Sequence, residues 1–520
     1  MVAQLPIELL QIIFEDAEPG SLRSYRLVDR QWCAASTPYA FSCYHASLFS
    51  RSLTKFSALA QSPLAKHVKA IEFHTDQLPN YTRKEYEAKI DIRQNISTFR
   101  DGLGEHVKWL QVSRMYNELP LHDYTPAQLE KGWLAFQTYC SEQKRWIDGQ
   151  AGLVLEDCLS RLHNLNEVVI SKAKPFGGPL NNTPFWRNFM DEILVGPDAW
   201  TYGHSTSYQY EALSTLYIMT AIGRRAAVTG AKAVEKLTLD MPDPFSFYHM
   251  IHLPPSSAGV IPKEFRKRGF TGADPDRNNL SSRYNVIVDA FRPLKHLALW
   301  GPSVIEDDLD GMGALSQTKE TAHLLTTAVN LRSLALDFGE PTHSYEGASD
   351  ELNMFDYSLL QVINCSRQTY PHLEDLRISS AFPAKFFKKF LILHKDTLKR
   401  LEIRDSLCDD WSKVLKTIAN DLKLDHIYIE SLWAPGSADD SEDEGEELIL
   451  GEGLNADDEF AQDMKNFLQT GEGSLPRVED YEMSGSDDGR YEYESMYATH
   501  AVHDPMSLDE DDDKDDEFLD

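Results

Sequence analysis

Leu294-Lys295-His296-Leu297-Ala298-Leu299 and, 37 residues later, Leu331-Arg332-Ser333-Leu334-Ala335-Leu336 share one spacing, apolar-x-x-apolar-x-apolar. The alternation in the second half is the period of a strand that buries one face. The same spacing recurs as Val68-x-x-Ile71-x-Phe73, Leu165-x-x-Val168-x-Ile170 and Val234-x-x-Leu237-x-Leu239. It returns as Leu373-x-x-Leu376-x-Ile378, Leu398-x-x-Leu401-x-Ile403 and Leu424-x-x-Ile427-x-Ile429. Chance alone would supply on the order of ten such matches in a chain this long, so the context has to decide. The last four matches each follow a helical pattern: Glu320 to Val329, Met354 to Asn364, Phe386 to Leu393 and Trp411 to Ile418. A repeated helix, short turn and strand predicts an α/β fold, because strands joined by crossovers of that kind run parallel.

Outside this pattern, composition excludes whole classes. Of 520 residues, 82 are acidic and 51 are Lys or Arg, a net charge of −31. Phosphate binding needs a basic face, so nucleic acid and anionic membrane are not expected partners. The charge is uneven: residues 436–520 hold 30 acidic and 4 basic residues, leaving residues 1–435 at only −5. Six widely spaced cysteines without a C-x-x-C pair describe neither a disulfide framework nor a thiolate metal site. No signal peptide and no apolar run of roughly 18 residues is evident, which leads to the expectation of a cytoplasmic or nuclear protein.

At the N-terminus, Leu5, Leu9, Ile12 and Ile13 follow helical spacing, and Leu10 and Phe14 add a second stripe. Glu18-Pro19-Gly20 breaks this helix, and Ser21 is placed to cap a second one carrying Leu22, Tyr25, Leu27, Val28 and Trp32. Thr37 and Pro38 read as the start of a third. Three short helices cannot cover so many large apolar side chains among themselves, and the surplus predicts a docking surface. Leu5-Pro6-x-Glu8-Leu9-Leu10-x-x-Ile13, Leu22 and Arg26-Leu27-Val28-x-Arg30-x-Trp32 together resemble an F-box, the module that binds the Skp-type adaptor of cullin-RING ubiquitin ligases. The resemblance covers residues 4–45, with Asp29 where the family often has a cysteine. It implies that Leu5, Pro6, Leu9, Leu10, Ile13, Leu22, Leu27, Val28 and Trp32 contact the adaptor and, through it, recruit the cullin and RING subunits. The other reading of these helices is a terminal cap on the repeats that follow.

Starts of successive matches are 97, 69, 60, 37, 42, 25 and 26 residues apart, and only the last two fall within the roughly 20–29 of a regular leucine-rich repeat. Residues 46–435 resemble the irregular leucine-rich-repeat-like region that follows the F-box in many fungal F-box proteins, which implies an αβ solenoid. The residues between the apolar positions then face solvent: Thr238, Asp240, Trp300, Asp337, Arg377, Ser379, Glu402, Arg404 and Tyr428. Trp300, Arg377, Arg404 and Tyr428 are the candidates for binding a protein target, since aromatics and Arg concentrate at interface hot spots. Long insertions at 172–211, dense in aromatics, and at 241–283, with basic Lys263, Arg266, Lys267 and Arg268, interrupt the array.

The acidic segment 436–520 is expected to be mostly disordered. One stretch differs, because Phe460, Met464, Phe467 and Leu468 make a helical stripe able to pack back on the body. No nucleophile elbow, P-loop, H-E-x-x-H or dinucleotide fingerprint occurs, and the pair His249 and His252 lacks a placed carboxylate. Neither a catalytic centre, a cofactor nor a metal site is expected. The sequence therefore predicts a non-catalytic substrate-recognition subunit of an SCF-type ligase. Its runner-up is a leucine-rich-repeat-like interaction scaffold with no link to ubiquitin.

Overall fold

Nine strands lie side by side in chain order in one parallel sheet: β1 (Cys43–Ser47), β2 (Ala70–His74), β3 (Glu167–Ser171), β4 (Lys236–Asp240), β5 (His296–Trp300), β6 (Ser333–Asp337), β7 (Asp375–Ser379), β9 (Arg400–Ile403) and β11 (His426–Ile429). The structure, a computed structural model, describes residues 5–15, 17, 19–47, 49–75, 78, 81–87, 90, 124–145, 151–171, 192–194, 207–240, 280–300, 322, 324–337, 369–430, 432–435, 446–450, 459–471 and 475–476. Each of the eight spaced segments is a strand of this sheet, and β1 is the strand the spacing missed. The short strands β8 (Ala381–Phe382) and β10 (Ser406–Cys408) join β12 (Leu432–Pro435) and β13 (Glu446–Leu450) in a second sheet, parallel except for the β12–β13 pair.

The spacing produces this arrangement through register. Ile71, Val168, Leu237, Leu297, Leu334, Leu376, Leu401 and Ile427 pair in sequence across the sheet, and two residues on the same holds from Phe73 to Ile429. A slip of one residue would turn a whole apolar row to the opposite face. Main-chain bonds repeat with the same regularity. At the entry to every main-sheet strand after β1, two consecutive N–H groups donate to one carbonyl of the preceding unit, from Lys69 and Ala70 to Ser42 through to Asp425 and His426 to Lys399.

Helices cover the apolar face. α1 (Ile7–Glu15), α2 (Pro19–Tyr25) and α3 (Arg30–Ala40) precede β1, and α4 (Ser50–Ala60) leads into β2. After α5 (Pro126–Arg145) come α6 (Ala151–Arg161) before β3, α7 (Ser207–Arg225) before β4 and α8 (Leu280–Phe291) before β5. α9 (Ala384–Leu393) and α10 (Trp411–Asp421) precede β9 and β11. Residues 324–327 form the helix expected before β6, whereas the one expected over 354–364 lies outside the described residues. Phe56, Leu159, Ile222, Phe291, Phe387 and Ile418, one from each of six helices, share a single buried core with the strand rows. A smaller core of Phe49, Tyr86, Trp133, Phe136, Ile193 and Leu194 follows the ends of the first strands. No helix among the described residues is long and apolar enough to cross a membrane.

Two contacts hold α6, α7 and α8 in place. Gly223 lets α7 approach α8 so closely that a Cβ there would lie 1.9 Å from the Val286 carbonyl oxygen. The buried Arg225 side chain donates to the carbonyls of Leu159, Leu162 and Leu165, at the end of α6 and in its exit turn, and to that of Lys232 between α7 and β4. Burial lowers the guanidinium to about 10, which still leaves it charged at neutral pH.

The N-terminal helices depart from their expected boundaries. The second predicted helix is divided, α2 ending at Tyr25 and α3 starting at Arg30, because Asp29 caps α3 by accepting from the Trp32 N–H at 2.8 Å. No third helix begins at Thr37. Pro38 lies inside α3, two residues from its end, so the N–H it lacks is missed only in the last turn, and the Thr37 hydroxyl donates back to the Cys33 carbonyl at 2.6 Å. Residue 45 falls within β1.

At the other terminus, α11 (Glu459–Thr470) buries Met464, Phe467 and Leu468 in the main core beside α10. Ordered structure thus continues past residue 435, because a segment's average charge conceals one apolar helical stripe. Most of the two insertions and of the acidic tail lies outside the described residues.

Gly223→Ala should destabilise the protein by about 1–3 kcal/mol through overpacking, read as a lower urea midpoint at an unchanged slope. Arg225→Met should cost at least as much, since each carbonyl left unsatisfied costs roughly 1–3 kcal/mol. Unchanged midpoints would show that α7 is not held at these two positions.

Candidate functional site

The N-terminal helices build a core of their own and still leave apolar surface uncovered. Leu10 and Phe14, one helical turn apart on α1, are completely buried with Leu22 and Ala35. Tyr25 and Trp32 close this core, their ring centroids 5.4 and 5.5 Å from that of Phe14. On the opposite side of α1, Leu9, Ile12 and Ile13 are spaced i, i+3 and i+4 and are exposed, as are Leu5 and Ile7 at its start. Leu27 and Val28, on the turn between α2 and α3, are 87 % and 59 % exposed. The Gln31 side chain donates to the Leu5 carbonyl at 2.7 Å and ties the start of α1 to α3.

Of the nine side chains that the sequence assigns to an adaptor, Leu5, Pro6, Leu9, Ile13, Leu27 and Val28 are exposed. Leu10 and Leu22 instead form the unit's interior, and Trp32 is half-buried against Phe14 and Tyr25. Three packed helices need some of their large side chains for themselves. Ile7 and Ile12 complete the exposed set. Helical spacing sets Ile12 beside Leu9, and folding shows which of the two stripes faces outward.

The four candidate target-binding residues divide between two places on the polar face of the sheet. Arg377, Glu402 and Tyr428 are register partners on β7, β9 and β11. Glu402 receives Arg404 Nε at 2.6 Å and lies 3.4 Å from Arg377 Nε. The Arg404 guanidinium sits 4.6 Å over the Tyr428 ring, whose hydroxyl donates to Glu430 at 2.7 Å. That hydrogen bond, with lesser contributions from burial and the Glu430 charge, raises the Tyr428 phenol above its ordinary range. Trp300 stands apart on β5, half-buried between its register partners Asp240 and Asp337.

A third group lies on the polar face of β1, β2 and β3. His45 on β1 pairs in register with Glu72 on β2, and His74 pairs with Ser47 on one side and Ser171 of β3 on the other. Strand alternation puts all five on the polar face. The Ser171 hydroxyl lies 3.3 Å from both Glu72 Oε1 and His74 Nδ1, and the two imidazoles stack with centroids 6.0 Å apart. Burial pushes His74 down to about 4, against the pull of Glu72, so its ring is neutral at neutral pH. Burial pushes the Glu72 carboxyl up, but His45, His74 and Ser171 together outweigh it and hold the carboxyl below its ordinary value. Serine, histidine and carboxylate also meet in acyl-transfer triads, yet Ser171 and His74 are each 1 % exposed and present no atom to an outside substrate. The group's signal in the sequence is Glu72-x-His74, at the positions that alternate with apolar Ile71 and Phe73.

No protein-family profile matches the chain, and no curated protein matches it.

Leu10→Ala should cost about 2–5 kcal/mol and loosen the N-terminal unit, whereas Leu9→Asp should stay within about 0.5 kcal/mol of the parent. Near-ultraviolet circular dichroism, which senses the packing of Trp32 and Tyr25, should change for the first variant and not for the second. Equal effects would show that α1 buries its other face.

Proposed function

We propose that this chain is a substrate-recognition subunit of an SCF-type cullin-RING ubiquitin ligase, with α1 to α3 as an F-box and the body as an irregular leucine-rich-repeat-like solenoid. The observation that carries the reading is the exposed apolar set of Leu9, Ile12, Ile13, Leu27 and Val28 on a unit that already has its own core. Covering one such side chain returns roughly 1.5–3 kcal/mol, against about 4–15 kcal/mol lost on association. A partner must therefore cover several of them together, as the Skp-type adaptor would. The polar face around Glu402, with Arg377, Arg404 and Tyr428, is the proposed target surface, where a charge-rich contact would favour selectivity and encounter rate. The chain itself would contribute proximity and orientation, and the transfer chemistry would belong to other subunits.

One observation favours the cap reading. α3 runs within three residues into β1, and Phe41 and Tyr44 pack on the main core. The two readings separate in a co-purification experiment with the Skp-type adaptor. The parent chain should retain the adaptor, and a Leu9→Asp, Leu27→Asp double variant should lose it with unchanged far-ultraviolet circular dichroism. Deletion of residues 1–40, which spares β1, should remove binding and leave the body folded. A parent chain that never retains the adaptor, together with a deletion that unfolds the body, would establish the cap and end the ubiquitin reading.

A further inference from the structure

The polar face of a parallel sheet edge is an expensive place to bury a carboxylate, which costs several kcal/mol unless positive charge or hydrogen bonds meet it. Glu72 is 6 % exposed, and among the described residues the titratable side chains beside it are His45 and His74, with no Lys or Arg. His45 Nδ1 approaches Glu72 Oε2 to 2.8 Å, but off the line that a ring N–H would need for a hydrogen bond. His74 Nε2 lies 3.8 Å from Glu72 Oε1, beyond hydrogen-bond reach of that oxygen. One ligating atom from each of the three residues falls within 4.8 Å of the others. Ligand atoms on one tetrahedral zinc-sized ion stand about 3.4 Å apart, so closure on an ion takes shifts of up to roughly 1.4 Å, shared between two side chains.

We propose that His45, Glu72 and His74 form a binding site for a first-row divalent cation of the zinc class. Two imidazole nitrogens and one carboxylate oxygen are the donor set that such ions take, while hard cations such as calcium and magnesium prefer all-oxygen sites. The strands supply the arrangement. Glu72 and His74 are i and i+2 on one strand, and register sets His45 beside Glu72. Ser171 completes it from β3. Its hydroxyl donates to Glu72 and accepts from His74 Nδ1–H, which selects the tautomer whose Nε2 carries a lone pair. Ser47, the register partner of His74, has a buried hydroxyl with no hydrogen-bond partner among the described residues, a spare oxygen on the same face. The half-exposed His45 is where an ion would enter.

The test uses the full chain, stripped with chelator and dialysed against zinc chloride, with bound metal measured by mass spectrometry. Cobalt(II) is a second probe, because its visible absorption reports tetrahedral nitrogen and oxygen ligation. We expect one tightly held equivalent that raises the thermal midpoint. Ser171→Ala should weaken the affinity by about 10–100-fold, and His45→Ala should weaken it further. Glu72→Gln should lose the ion. If that variant fails to fold, His45→Ala decides, because its half-exposed position tolerates truncation. Absence of zinc uptake, or equal uptake by the parent and the His45→Ala protein, overturns the proposal.

Discussion

Two apolar rows cross the main sheet without a break, one from Ile71 to Ile427 and the other from Phe73 to Ile429, each contributed by eight successive strands. Everything else in the body depends on them. A parallel strand cannot be stabilised by its neighbour in sequence, only by the next strand to return from a crossover, so each unit has to present its aliphatic pair at the same height. A third row, from Val68 through Leu165, Val234, Leu294, Leu331, Leu373 and Leu398, seals the turns beneath the strands and is fully buried along that length. Insertions of very different size fit between units because they leave and rejoin the sheet outside these three rows.

Fixing one face leaves the other free to vary. At the height of Glu72, the polar face changes from His45 and Glu72 through Val169, Thr238, Ala298 and Ala335 to Arg377, Glu402 and Tyr428. Uncharged residues in the middle separate two chemically distinct ends. One end buries Glu72 and His74, and the other is charged, with the exposed Arg377 and Arg404 beside Glu402. A single scaffold thus carries two separate polar clusters without either disturbing the apolar rows.

The N-terminal helices obey a different constraint. Their small core needs Leu10, Phe14, Leu22 and Ala35, so only the second stripe of α1 and the α2–α3 turn can serve a partner. Trp32 belongs to the inner set because it lies against Phe14 and Tyr25. A motif assigns importance to all of these residues alike. Packing divides them into those that make the unit and those that it offers.

The sequence alone shows the strands, since the 3-then-2 spacing of aliphatic residues recurs and its last four instances each follow a helical pattern, and β2 to β7, β9 and β11 all carry it. It also determined the stripe of α11, where Met464, Phe467 and Leu468 stand out from an acidic background. Boundaries were less legible. Asp29 divides a helix that apolar periodicity alone would run together, and β1 lacks the aliphatic spacing because Tyr44 and Ala46 occupy its inner face. Packing between segments settles which of two apolar stripes on α1 is outward and that Trp300 stands away from Arg377, Arg404 and Tyr428. It alone joined His45 to Glu72 and His74. The reason is common to all three: partnership across strands and helices is set by register and packing between segments tens of residues apart, and local periodicity contains no term for it.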